Sequence, residues 1–256
     1  MGKEGKYIYC IVESKQERNF GPIGIGARGD EALTLGYDDL SMVVSNCPLG
    51  KLAASRENML AHQAVIEEAM KEFDSVLPVR FGTIASGADE VRNLLDRRRR
   101  EFQTGLADMD HKIELGVRGA WMDMDAIFSE IVESNREIKS LKEKIAGDTG
   151  ENNVQVRVEV GKMVEQALQE KKEREAEKIV DAFRRTALDH KLNKTIGDQM
   201  FVNAAFLVSK GREKEFDNIM DDLSDQYQDK MDFTYAGPLP VFNFVDITIY
   251  PEEWEK

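Results

Sequence analysis

The alternation of apolar and polar positions divides the chain into strand-like and helix-like stretches. Tyr7 to Val12 is a near-continuous apolar run, the pattern of a buried strand. Glu31 to Tyr37 alternates, Asp38-Asp39 supplies a turn, and Leu40 to Ser45 forms a second strand-like run, so a hairpin is predicted there. Ser55 is a good N-cap with Glu57 in the first turn. Met59, Ile66, Met70 and Phe73 then recur at helical spacing. A second helix from about Ala88 turns Val91, Leu94, Leu95 and Phe102 inward and Arg97-Arg98-Arg99-Arg100 outward. Four arginines are compatible with a phosphate or acidic-partner site, but acidic residues surround them, and a solvated helix face is the expectation.

Between these helices lies Val76-Leu77-Pro78-Val79-Arg80-Phe81-Gly82-Thr83-Ile84. Pro78 has no N–H to donate, so an edge strand or a strand start is predicted. Alternation places Pro78, Arg80 and Gly82 on one face and Leu77, Val79 and Phe81 on the other, core-facing one. Arg80 has two readings. Either it pairs with a carboxylate and holds the fold, which is the commoner case, or it faces a partner at the edge.

Ile113 to Trp121 is again strand-like. A long helical pattern follows, with Met124, Ile127, Ile131, Ile138, Leu141 and Ile145 as a heptad seam and Ser134 in the gap. Gly147-Asp148-Thr149-Gly150 breaks it. A highly charged helix with Val164, Leu168, Ile179 and Phe183 inside then completes an antiparallel hairpin, predicted to project from its domain. Its Glu170-to-Glu175 run suits a solvated face. Ala187 to Asn193 and Met200 to Val208 read as strands, Gly211 opens a helix, and Met231 to Tyr235 is the next strand. The order strand, helix, strand, strand, helix, strand is ferredoxin-like, with the hairpin in its first crossover. Phe242 to Tyr250 reads as a final strand that returns to the first domain or covers an edge.

The predicted fold class is therefore α+β with two domains. Residues 1–106 form an N-terminal α+β domain. Residues 107–238 form a ferredoxin-like domain with an inserted helical hairpin at about 124–185, and 239–256 form a C-terminal strand or tail.

Of the 256 residues, 41% are hydrophobic and 32% charged, enough apolar material for a core beneath a heavily charged surface. Lys+Arg number 35 against Asp+Glu 48, a net charge of −13, which disfavours a general nucleic-acid role. No apolar run approaches the roughly 20 residues of a membrane helix. The first residues lack a signal-peptide core, so a cytoplasmic location is expected. Cys10 and Cys47 are expected to be free thiols, without CxxC spacing for zinc.

Gly24, Gly26 and Gly29 match GxGxxG, but the next residues are strand-like, and the fingerprint needs a following helix. His62, His111 and His190 are scattered, and His62 is expected at the surface or satisfied in place. No catalytic or metal-ligating pattern emerges, so no enzyme, cofactor or metal is expected.

The stretch Leu77-Pro78-Val79-Arg80-Phe81-Gly82-Thr83-Ile84 resembles the central motif of the gas-vesicle accessory proteins of the F/L family. Tyr7-Ile8-Tyr9-Cys10-Ile11-Val12, Glu114-Leu115-Gly116-Val117-Arg118-Gly119-Ala120-Trp121 and Thr234 to Pro240 followed by Phe242-Asn243-Phe244-Val245 fit the same family, in the same order. The chain departs from it at Leu239, where many relatives carry Trp, and at Val241-Phe242, where they carry Pro-Tyr. The resemblance implies a minor structural component at the gas-facing side of the vesicle shell. Its partners would be the small hydrophobic shell protein and other accessory proteins, with Leu77, Pro78, Val79, Arg80 and Phe81 as candidate interface. An assembly chaperone that leaves before closure is the alternative within this class. A cytosolic ligand-binding or enzymatic module on ferredoxin-like domains is the alternative outside it.

Overall fold

The structure, a computed structural model, describes residues 4–50, 52–146 and 153–250. The chain divides into two compact units. One comprises Met1–Glu114, Ser209–Gly211 and Gly237–Lys256; the other comprises Leu115–Val208 and Arg212–Ala236.

The first unit is built on β1 (Glu4–Glu13), β2 (Leu33–Tyr37), β3 (Leu40–Pro48), α1 (Arg56–Glu72), β4 (Val76–Pro78), β5 (Ile84–Ala85), α2 (Ala88–Arg97) and α3 (Arg99–Asp108). The sheet runs β2-β3-β1-β4, with β5 also on β1. Two apolar layers form on it. Ile8, Ile11, Met42, Val44, Leu77 and Val79 pack with Val91, Leu94, Leu95, Phe102 and Leu106 of α2 and α3. Tyr7, Tyr9, Cys10, Val12, Val43 and Val76 pack with Val65, Ile66 and Ala69 of α1. Strict alternation would separate Tyr9 from Cys10. The register against β3 shifts between Ile8 and Cys10, and this bulge turns both residues towards α1.

The hairpin of β2 and β3 is as the alternation predicts, with Asp38 at positive φ in its turn. Ser55 caps α1, its hydroxyl accepting from Asn58 N at 3.2 Å. The inner face of α1 differs from the predicted one. Met59 is exposed, and His62, Val65, Ile66 and Ala69 face the sheet. The second helix is two helices, α2 and α3, broken at Arg98.

The second unit contains most of β6 (Lys112–Trp121), then α4 (Met124–Ser134), α5 (Arg136–Ala146), α6 (Asn153–Phe183), β7 (Ala187–Leu192), all but the last residue of β8 (Met200–Ser209), α7 (Glu213–Tyr227) and most of β9 (Met231–Leu239). The sheet order β7-β8-β6-β9 is that of a ferredoxin-like βαββαβ unit, whose second strand is an edge and whose first and third are central. The insertion lies in the first crossover, as predicted.

The first arm of the insertion is not one helix. Asn135 has extended backbone, and its Oδ1 accepts from Glu137 N and Ile138 N, ending α4 and capping α5. Nor does the hairpin merely project. In the C-terminal half of α6, Phe183 is fully buried, stacks on Phe216 at 4.0 Å and packs at a tilt against Phe206 at 5.0 Å. Within the charged run, Lys171 and Lys172 are buried rather than solvated. Lys171 Nζ reaches Glu130 of α4 at 2.7 Å and lies over Trp121, while Lys172 Nζ donates to Gly197 O. Long stems cover apolar surface while the ammonium finds a partner, which a charge count along the chain does not reveal. The side chain of Ile145 and residues 147–152, with the predicted break at Gly147-Asp148-Thr149-Gly150, lie outside the described residues.

Candidate functional site: the edge of the first sheet

The stretch Val76 to Ile84 lies at a sheet edge, but not as one strand. β4 pairs antiparallel with β1 through Val76, Leu77 and Pro78, opposite Val12, Ile11 and Cys10. Val79 N donates to Tyr9 O at 2.9 Å, and the chain then leaves the ladder. Gly82 takes φ +88°, a left-handed turn that side-chain-bearing residues adopt only with strain, and Thr83 Oγ1 donates to Arg80 O at 2.7 Å. β5 rejoins β1 at Tyr7 and Lys6. The turn cancels the alternation. Leu77 and Val79 are fully buried towards α2 and α3, as expected, whereas Phe81 is half-buried against the α1 layer.

There Phe81 joins an aromatic cluster with His62 at its centre. The His62 ring is edge-on to Phe81 at 5.6 Å and stacked with Tyr9 at 5.7 Å and Phe242 at 6.1 Å. Gly82 N donates to the Tyr7 phenol oxygen at 2.9 Å, which leaves the phenol proton for His62 Nδ1 at 3.0 Å. Nε2 is buried and makes no hydrogen bond of ordinary geometry, although the Val79 backbone stands close enough to favour a charged ring. Desolvation outweighs that help and lowers the His62 pKa to about 4. Burial likewise raises the Tyr7 and Tyr9 phenols. His62 is thus a core residue, not a surface one. Its place on the α1 face three residues before Val65 is the signal that could have found it.

The C-terminal segment covers this edge without forming the predicted strand. Its ladder contact is a single parallel bridge, Ile247 to Val79. Side chains hold the rest. Glu114, buried, accepts from Asn243 N at 2.8 Å and Asn243 Nδ2 at 2.6 Å. Arg98 Nη1 donates to Thr248 O at 2.9 Å, and Arg80 pairs with Asp246 at 3.1 Å. The Arg80 and Asp246 side chains are 63% and 75% exposed, so this pair is a weak tie. Between the turn and the segment opens a groove of about 750 Å³, with Leu49, Phe81, Ile84, Leu94, Ile249 and Tyr250 among its lining residues. Phe242, 40% exposed, flanks His62.

Of the five residues predicted as interface, Phe81 and Arg80 line this groove, and Leu77, Pro78 and Val79 are buried supports. The arginine run is not a uniformly solvated face. Arg98 grips Glu101 through two nitrogens, and Arg99 reaches Asp38 and Asp39, both at 2.7 Å. The glycine cluster is followed by β2, not by a helix. Cys10 and Cys47 are free and buried, opposite Val43 and Gly5 in the β1–β3 ladder. The four residues from Val43 to Cys47 put the thiols roughly 13 Å apart along the strand, beyond disulfide reach. No described helix is long and apolar enough to cross a membrane, and no cluster of three or more metal-ligating side chains occurs among the described residues.

Residues 5–246 match the family model described as gas vesicle synthesis protein GvpL/GvpF. The chain belongs to the GvpL/GvpF family. It is 26% identical to gas vesicle protein F1 of Halobacterium salinarum over 98% of this chain and 97% of that one. It is 29% identical to gas vesicle protein F of a Streptomyces species over 94% and 99%. The crystal structure of GvpF from Anabaena sp. PCC7120 superposes with a TM-score of 0.81 at 21% identity, covering 96% of this chain and all of that one. GvpF from Microcystis aeruginosa gives 0.78 at 21% identity, covering 95% and 99%. The mixed helix–strand fold is therefore shared with these two GvpF structures. All four stretches that carry the sequence resemblance contribute to the edge described above: Tyr7 under Gly82, and Glu114 on Asn243, with Val79 beside Ile247.

Proposed function

We infer that this protein takes part in gas vesicle assembly as a non-catalytic component, and that it binds the main shell protein through the groove at the first sheet edge. The observation that carries this reading is apolar exposure beside a well-tied frame. Phe81 and Phe242 stand partly exposed around the buried His62, while Tyr7, Glu114 and Arg98 fix the backbone on either side. Such a groove offers shape and apolar area without convergent reactive groups, and suits an apolar segment of a partner. Placement at the gas-facing side, within vesicles in the cytoplasm, belongs to the same reading, with other accessory proteins as further partners.

The test is capture of purified shell protein by the immobilised chain and by Phe81→Asp and Phe242→Asp. Binding should fall at least tenfold in either variant with the melting transition retained. Undiminished capture by both would sink the groove as the binding surface. Purified vesicles should keep the protein through a detergent wash and shield it from added protease. Release by the wash would instead make it an assembly chaperone.

A further inference from the structure

β7 is the end strand of the second sheet, and no described strand pairs with its outer edge. Leu188 and Leu192 are 54% and 58% exposed, and Asp189, His190 and Lys191 are exposed between them. Asn193 N donates to Asn203 O at 2.7 Å, so Asn193, Lys191 and Asp189 direct their backbone groups at β8. Leu192 and His190 then direct theirs outward. In keeping with this, the outward His190 N–H is taken by the adjacent Asp189 Oδ1 at 2.8 Å.

Charges along an edge ordinarily guard against pairing with another chain. Here they are arranged symmetrically about His190: leucine, acid, histidine, base, leucine. An antiparallel partner of the same sequence, centred on His190, sets each Asp189 opposite a Lys191 and each Leu188 opposite a Leu192. A two-fold axis repeats both pairs. Sliding the register by one pleat repeat sets Asp189 opposite Asp189, or Lys191 opposite Lys191, and is penalised. The pattern therefore selects one partner and one register.

We propose that two copies of this chain associate through β7, antiparallel about a two-fold axis at His190, joining two four-stranded sheets into one of eight strands. The His190 N–H passes to the other copy's His190 carbonyl, and Asp189 turns to the other copy's Lys191. Lys191 also interacts within its own chain, so the pairing asks only for its charge and position. Leu192 lines a groove of about 740 Å³ with Val180, Phe201 and Val202, and the incoming Leu188 arrives at its rim. The bulge between Ala187 and Asp189 limits the ribbon to about five residues, so the association is weak and concentration-dependent.

Sedimentation equilibrium of the full chain, from micromolar to several hundred micromolar, tests this. The parent chain should dimerise reversibly. Asp189→Lys and Lys191→Asp each set like charges opposite one another, and each should raise the dissociation constant at least tenfold. An equimolar mixture of the two restores opposite charges in both pairs and should associate again. Adding His190→Pro to both variants removes the outward N–H at an edge position that tolerates proline, and should abolish that mixed association. A parent chain that stays monomeric throughout, single variants that dimerise like the parent, or mixed association that survives His190→Pro would each overturn the proposal. All three substituted positions are exposed, and melting curves of each variant separate misfolding from dissociation.

Discussion

Tyr7 and His62, 55 residues apart, are joined by a 3.0 Å hydrogen bond that ties α1 to the turn at Gly82 through one phenol. The phenol oxygen receives the Gly82 N–H and its proton goes to Nδ1, so both of its hydrogen-bonding capacities are used in the core.

Removing that oxygen leaves the buried His62 ring, and the N–H of Gly82 in its exposed turn, without a partner. Tyr7→Phe should therefore lower the unfolding free energy by about 1–3 kcal/mol, although shape and apolar area hardly change. Urea denaturation checks this. A variant as stable as the parent would show that water replaces the phenol at Gly82.

His62 makes stability depend on pH. Its folded pKa of about 4 is below the ordinary value of 6.5, so between those limits the unfolded chain binds the extra proton. Its contribution is fully present above pH 6.5 and is lost as pH falls towards 4, on the order of 3 kcal/mol in total. The denaturation midpoint of His62→Leu should start lower at pH 7 and fall less steeply to pH 4. Parallel pH profiles would assign the acid sensitivity of the parent to its carboxylates alone.

The strands and the order of elements were legible in the sequence because period-two runs such as Tyr7 to Val12 and the Asp38-Asp39 turn are local signals. The ferredoxin-like order followed from counting such runs. The features missed are those that local periodicity does not contain. The bulge at Tyr9 turns two neighbouring side chains to one layer, and Gly82 turns Phe81 away from the layer of Leu77 and Val79. The break at Asn135 had a signal, a capping residue within a helical pattern beside the polar Ser134, but the apolar seam on either side of that gap outweighed it. Burial of His62, Lys171 and Lys172 depends on what lies above them in space. At the candidate site, the edge position and a carboxylate for Arg80 were legible, although that carboxylate, Asp246, lies 166 positions away, while the groove and the place of Phe242 beside His62 arise from segments far apart in the chain.

The two halves of α6 should respond differently to truncation. Phe183 is fully buried between Phe206 and Phe216, so Phe183→Ala should cost about 3–5 kcal/mol. Val158, on the same helix but 54% exposed, should change stability by less than about 0.5 kcal/mol when cut to alanine. Thermal melts of both variants measure the difference, and equal effects would mean that the outer half of α6 is packed as tightly as the inner half.

Three neighbouring positions separate frame from surface at the first sheet edge. Leu77 is fully buried against the helices α2 and α3, with Gly105 close beside it, so Leu77→Ala should cost about 2–5 kcal/mol. Phe81 keeps part of its ring exposed, so Phe81→Ala should cost less, about 1–2 kcal/mol, and should weaken capture of the shell protein more than its stability loss explains. Arg80 does pair with a carboxylate, Asp246, but both side chains are mostly exposed, and such pairs contribute under about 1 kcal/mol. The fold-holding reading of Arg80 therefore predicts too much. Arg80→Ala should leave the melting transition nearly unchanged, and Asp246→Ala should do the same. If the pair instead fixes the C-terminal segment over the groove, both variants should shift shell-protein binding by the same factor and the double variant by no more than either alone. A marked drop in melting temperature for Arg80→Ala would return that residue to the frame and leave Phe81 and Phe242 as the surface that remains.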